Sequence, residues 1–404
     1  MTSFARPPDL THGLSRRSAI LGLGGAVFGS GGALAVAAAP GDKRFVVVLL
    51  RGAMDGLSAV VPYGDPGLMA LRPELVPPPP GQDKGMLDLD GMFALHPALT
   101  RAHAMYRANE LLAVHAVAGS WRARSHFEAQ DYLESGAERR LSTGWLNRTA
   151  SAMKAGSAAQ PRAIAIGGTM PLLLRGAAPA ANWAPHGFSE PKDALYQTVL
   201  ALNRDDRITG PAIASGLRAR GFGHAVLGDM QRDKGRFAFP ALALAAGALL
   251  RAPDGPRLAA MELGGWDTHT GQANRIVTPL SQLDSGLAAL RDGLGEAWKQ
   301  TVVLVMTEFG RTARMNGTNG TDHGTASVAF LAGGAIAGGR VAGNWPGLGA
   351  GRLLEDRDLA PTTDLRAIAK GVLTAHLGVG AGALAAVFPG AEAVPAMRGL
   401  TRTG

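Results

Sequence analysis

Six short runs of mostly apolar residues constrain this chain more than any other feature. They are RFVVVLL (Arg44–Leu50), LLAVHAVAG (Leu111–Gly119), RAIAIGG (Arg162–Gly168), RLAAMELGG (Arg257–Gly265), TVVLVM (Thr301–Met306) and ASVAFLAGG (Ala326–Gly334). They are nearly continuous rather than alternating, so they leave no face for water. Such strands need cover on both sides, as in a parallel sheet between helices. Between them lie stretches with helical spacing, among them HPALTRAHAMYRANE, SQLDSGLAALRDGLGEAWK and TDLRAIAKGVLTAHLG. SHFEAQDYLESG reads as a helix capped by Ser125 and ended by Gly136. RGAMDGLSAVVP reads as a loop, VPPPPGQDKG as a surface excursion, and residues 190–250 as mostly helical and irregular. The expected fold is α/β, a mainly parallel central sheet with helices on both faces. With no repeat and no clear linker, residues 40–404 are expected to form one domain with insertions.

Residues 1–39 read as a cleaved export signal. LSRRSAILGLGGAVFGSGGALAVAAAP pairs Arg16 and Arg17 with a weakly apolar core and an A-x-A-like site at Ala37 and Ala39. The SRRSAIL context resembles a twin-arginine signal, which implies a periplasmic or otherwise exported protein. A retained membrane anchor is the rival reading. No later stretch is long and apolar enough to span a bilayer, so no stable span is expected after cleavage. There are no cysteines, and an exported fold must then rest on its core or on metal. The net charge of +8 is scattered, with no basic block, which argues against nucleic acid. It suits an anionic small-molecule substrate equally well.

Ligands of open parallel sheets bind beyond the carboxyl ends of the strands. Asp55 follows the first run, Ser125 and His126 the second, Asp267 and His269 the fourth, and Glu308 the fifth. Asp322 and His323 come just before the sixth. Carboxylate oxygen and imidazole nitrogen bind zinc, manganese and similar ions. Asp55, Asp267, His269, Glu308, Asp322 and His323 are therefore the candidate ligands of a divalent metal. Such an ion polarises a phosphoryl or sulfuryl group and activates an oxygen nucleophile. Ser125, at a helix start that favours anions, is the candidate nucleophile. Arg311, Arg51 or Arg124 is the candidate clamp on the substrate's oxygens.

Each piece also has a plainer reading. Asp55 makes an Asx-type turn, Ser125 only caps, GWDTH is a turn with a packed Trp266, and Glu308 pairs with Arg311. His126 stacks or caps rather than ligates. Asn316 and Asn319 are turn residues, and Gly320 and Gly324 let the backbone turn tightly. His96, His103, His115, His186, His224 and His376 read as packed or surface histidines. There is no GxSxG elbow, no Walker loop and no dinucleotide fingerprint.

LLRGAMDGL, RSHFEAQDYLESG, GWLNR, GGWDTH and the block from TEFGRT to NGTNGTDHG, in that order, resemble the exported family called domain of unknown function 1501. That family resembles the alkaline phosphatase and sulfatase superfamily in fold. The resemblance implies a metal-binding aspartate at Asp55, a nucleophile at Ser125, an Asp-His pair at Asp267 and His269, and a last histidine at His323. It also implies hydrolysis of phosphate or sulfate esters. One position departs: where the superfamily commonly has Asp-His after the fifth run, this chain has Glu308-Phe309. Phenylalanine cannot ligate, so that ligand is missing or comes from elsewhere, with His126 a candidate. The rival function is a non-catalytic binding or assembly protein with a protein partner.

Overall fold

The computed structural model describes residues 43–153, 162–185, 193–207, 209–228 and 238–402. The export-signal reading and His186 fall outside them. Among the described residues the strands are β1 (Arg44–Leu50), β2 (Val60–Val61), β3 (Leu87–Asp88), β4 (Ala94–Leu95), β5 (Leu111–Ala118) and β6 (Ala163–Ile166). They continue with β7 (Ala180–Trp183), β8 (Leu258–Leu263), β9 (Thr301–Thr307), β10 (Ser327–Ala332), β11 (Arg340–Ala342) and β12 (Thr363–Asp364). The six expected strands are the central six. The additional strands, β2–β4, β7, β11 and β12, have two to four residues each, too short for periodicity to mark them. The segment expected as a loop after β1 instead forms a helical turn, Gly56–Ala59, and then β2.

The main sheet runs β11-β5-β10-β9-β1-β8-β6-β7, with β12 also paired to β5. All its pairings are parallel except the two made by β10. Both faces are covered. Along β1, Val46, Val48 and Leu50 join one core layer and Phe45, Val47 and Leu49 the other. The first layer is closed by helices Thr100–Arg107, Phe239–Arg251 and Val277–Leu294. The second is closed by helices Trp145–Ala152, Leu365–Ala375 and Ala381–Val387. A residue-by-residue alternation between two apolar layers explains why these strands read as continuous runs. No helix among the described residues is long and apolar enough to cross a membrane.

The reversal of β10 matters for function. The carboxyl ends of β1, β5, β8 and β9 lie along one rim, and an antiparallel neighbour presents its amino end there. The segment before β10, with Asp322 and His323, therefore arrives where the segments after the other strands begin. Arg72 ties this rim together. It is 1% exposed, and it donates to Asp55 Oδ2 at 2.6 Å, to the Ala313 carbonyl at 2.8 Å and to the Thr312 carbonyl at 2.6 Å. Replacing Arg72 with methionine strands the buried Asp55 carboxylate and should cost about 3–5 kcal/mol in urea denaturation. A loss under about 1 kcal/mol would contradict this role.

Three histidines outside the rim are packed as neutral rings. His115 Nε2 donates to the Val60 carbonyl at 3.0 Å, while Nδ1 accepts from the Ala116 N–H at 3.0 Å, a pattern only the neutral ring satisfies. Burial pushes His96, His115 and His376 down to about 4 from an ordinary 6.5. The unfolded chain therefore takes up these protons first as pH falls. Stability should be complete above pH 6.5 and drain away toward pH 4, by at most about 3 kcal/mol per ring. Urea titrations at pH 7, 6 and 5 test this, and a flat profile would contradict it.

Candidate metal centre

Three imidazoles and one carboxylate meet at the rim. His126 opens the helix His126–Ser135, beyond β5. Its first turn is set by Ser125, an extended N-cap residue, and the helix is closed by Gly136 at φ 63°. Asp267 and His269 follow β8 in a turn anchored by Trp266, which is buried and donates from Nε1 to the Leu263 carbonyl at 2.9 Å. The packed-Trp reading of this turn therefore holds, and the same turn carries two polar groups to the rim. His323 arrives before β10.

The Nε2 atom of His323 lies 3.0 Å from Nε2 of His126, 3.0 Å from Nε2 of His269 and 3.2 Å from Oδ1 of Asp267. His269 Nε2 is 2.9 Å from Asp267 Oδ1, and His126 Nε2 is 3.6 Å from Asp267 Oδ2. Ligands held at about 2.0–2.1 Å around a tetrahedral ion are about 3.3 Å apart. The spacings among His126, Asp267 and His323 bracket that value. Among the described residues, His126, Asp267 and His323 form the group whose donor atoms all lie within 4.8 Å of one another, and His269 borders two of them.

The far nitrogen of every ring is already committed. His126 Nδ1 lies 2.8 Å from Glu308 Oε1, His269 Nδ1 3.1 Å from Asp322 Oδ1, and His323 Nδ1 3.0 Å from the Arg124 carbonyl. Carbonyls and ionised carboxylates only accept, so each Nδ1 carries the proton. In a neutral ring Nε2 is then a bare lone pair, and those of His126 and His269 each face that of His323. Outer acceptors on metal-binding histidines fix the ring and its tautomer in this way.

The electrostatics agree. Burial opposes ionisation of Glu308, but the hydrogen bonds from His126, Gln130 and the Gly52 N–H outweigh it and hold its carboxyl below the usual range. Asp267 is also held low: burial opposes this, and the Arg311 guanidinium at 2.8 Å prevails. Asp322 is lowered against burial by Asn316 and His269. Glu308 raises His126 in return, while burial is the largest influence lowering His323.

The remaining expected residues lie as follows. Glu308 and Asp322 stand behind the ligand rings. Asp55 caps Gly56–Ala59 and is bonded to Arg72, Ser58 and Gln272, away from the imidazoles. Arg311 is buried, with its other donors on Thr321, so it meets Asp267 and not solvent. Ser125 makes no capping hydrogen bond with its side chain. Arg51 pairs with Glu134 and Glu262, and Arg124 with Asp358 and Glu355, each guanidinium partly exposed. His126 both stacks on Phe309, at 4.9 Å between centroids, and turns Nε2 toward the centre.

The glycines act by proximity rather than by a left-handed turn. A Cβ on Gly320 would sit 2.2 Å from the His269 carbonyl carbon, and one on Gly324 would sit 2.4 Å from that of Arg311. The left-handed residue of the loop is Asn319, at φ 55°. Asn316 does more than turn the chain: its Nδ2 donates to the His269 carbonyl at 3.0 Å and to Asp322 at 3.1 Å.

Replacing His269 or Asp267 with alanine should abolish metal retention on dialysis without unfolding the chain. Glu308→Gln, which keeps every ligand but weakens the hold on His126, should lower affinity about 10–100-fold. Elemental mass spectrometry and competition with a chromogenic chelator read both effects. Full retention in the two alanine variants would rule the centre out.

No curated protein matches the chain. Solved structures similar to it include the C-terminal periplasmic domain of EcEptC from Escherichia coli in complex with Zn, at 8% identity and TM-score 0.35, over 74% of this chain and 76% of that one. A protein in the alkaline phosphatase superfamily from Vibrio parahaemolyticus gives 10% identity and TM-score 0.33, over 76% and 64%. The alkaline phosphatase of the Antarctic bacterium TAB5 gives 12% and 0.30, over 72% and 92%. Residues 42–387 match the family described as "Protein of unknown function (DUF1501)", and the chain belongs to that family.

Proposed function

We propose that the chain is an exported, metal-dependent hydrolase of phosphate or sulfate esters, with one divalent cation, zinc or manganese, held by His126, Asp267, His269 and His323. The observation that carries this reading is the convergence of three Nε2 atoms and a carboxylate, with the far nitrogen of each ring already tied to an acceptor. When bound, the cation supplies Lewis acidity toward a phosphoryl or sulfuryl oxygen.

The chain's own groups do the rest. Glu308, Asp322 and the Arg124 carbonyl hold the rings in register. Arg311 keeps Asp267 ionised. The first turn of His126–Ser135 offers unpaired N–H groups to the anionic end of the ester, and Arg51 and Arg124 retain exposed faces to meet it. Ser125 Oγ, free of a capping duty, is the attacking oxygen. Its bond to phosphorus or sulfur forms as the ester bond breaks, and its proton leaves with the departing alcohol. Water then cleaves the seryl ester, restoring serine and releasing phosphate or sulfate.

One observation favours a second reading. Asp55 is spent on Arg72, and Arg311 on Asp267. Such internal pairing suits a binding or assembly protein in which the metal is a structural staple.

Turnover of a panel of aryl phosphates and sulfates by the metal-loaded protein separates the two. The hydrolase reading expects turnover that Ser125→Ala lowers about a thousandfold or more while metal content stays constant. Unchanged turnover in that variant discards Ser125 as nucleophile. Bound metal with no turnover across the panel favours the second reading.

A further inference from the structure

Three residues that flank the ligands converge on one buried carboxylate, that of Asp358. Its side chain is fully buried. Oδ2 accepts from Arg124 Nη2 at 2.8 Å, from Arg124 Nε at 3.2 Å and from Thr325 Oγ1 at 2.8 Å, and Oδ1 accepts from Arg357 Nη1 at 3.3 Å. Arg124 stands two residues before His126, and its carbonyl accepts the proton on His323 Nδ1. Arg357 Nη2 donates to the His323 carbonyl at 2.9 Å. Thr325 stands two residues after His323. The backbone of the same turn is joined to the rim as well: Ala313 N–H donates to the Arg357 carbonyl at 2.9 Å, and Thr312 and Asp358 form an antiparallel bridge.

We propose that Asp358 is the positioning residue of the metal centre: by gathering Arg124, Thr325 and Arg357, it fixes the tautomer, rotation and height of His323. This rests on the metal-centre reading above. His323 is the ring whose Nε2 touches every other ligand, so an error in its placement is felt by all of them. Two features suggest a built support rather than a chance pairing. First, four donors converge on a carboxylate that has no access to water. Second, Glu355 and Asp356, just before it, hold left-handed backbone at φ 54° and 50°, a conformation that costs non-glycine residues energy. Asparagine at 358 keeps the shape but offers one acceptor oxygen in place of two, so it cannot hold both arginines and the threonine.

The test uses the whole mature chain, loaded with zinc or cobalt(II). Asp358→Asn should weaken zinc binding about 10–100-fold and shift the visible absorption of bound cobalt. Arg357→Gln, on a part-exposed residue, loses the donor to the His323 carbonyl and should produce a smaller shift of the same kind. A residue that only supported the fold would lower the melting temperature of the metal-free protein and leave affinity and cobalt spectrum unchanged. That result in Asp358→Asn overturns the proposal. If wild-type protein binds neither ion, the metal-centre reading fails and this proposal with it. If wild type binds and Asp358→Asn binds identically, only the proposal fails.

Discussion

Imidazole lone pairs held 3.0 Å apart repel one another unless something positive lies between them, and the rim is organised around that constraint. Each ring spends its one proton outward, on Glu308, Asp322 or the Arg124 carbonyl, which leaves the inner nitrogens bare. The charges nearby point the same way. Asp267, Glu308 and Asp322 are all held in the ionised form, and Arg311 offsets one of them. Asp55 and Arg72 cancel one another.

The sheet makes this meeting geometrically possible. Four parallel strands deliver Asp55, His126, Asp267 with His269, and Glu308 to one edge, and the single reversed strand, β10, brings His323 back to it. This much was legible in the sequence. The apolar runs marked the strands, and the polar residues just outside them marked the edge. The direction of β10 was not legible, because a buried antiparallel strand has the same apolar composition as a parallel one. The expectation that His323 would share the rim with Glu308 did not need that direction, only that its residue lay next to a strand end.

The orientation of each side chain at the rim was far less legible. Sequence position shows which side chains reach an edge, not which atom of a side chain faces inward. Glu308 and Asp322 read as ligands because they are acids beside histidines; in the fold each meets the outer nitrogen of a ring, His126 and His269 respectively. His126 read as a stacking or capping ring, and as a ligand only in place of the one that phenylalanine at 309 cannot supply. In the fold Phe309 supplies the floor on which His126 stacks, with His323 at 5.1 Å from the same ring. Asp358 carried no signal at all. It lies 35 residues beyond His323 in a turn with no motif, and its role appears only when Arg124, Thr325 and Arg357 are seen to share it.

The same two departures bear on how many ions the rim suits. Two rim positions outside the imidazole cluster, Asp55 and residue 309, are already engaged otherwise. Asp55 accepts from an arginine, a serine and a glutamine in a buried, electrically neutral pair; freeing it would strand Arg72 in the core at a cost of about 3–5 kcal/mol. Residue 309 is a phenyl ring packed against Ala53 and Ala129. Recruiting either position would mean breaking an ion pair or displacing that ring, whereas the His126, Asp267 and His323 donors already lie within 4.8 Å of one another. On the function proposed above, that arrangement points to one cation, with a substrate's anionic oxygens met by the helix start at His126 and by Arg51 and Arg124.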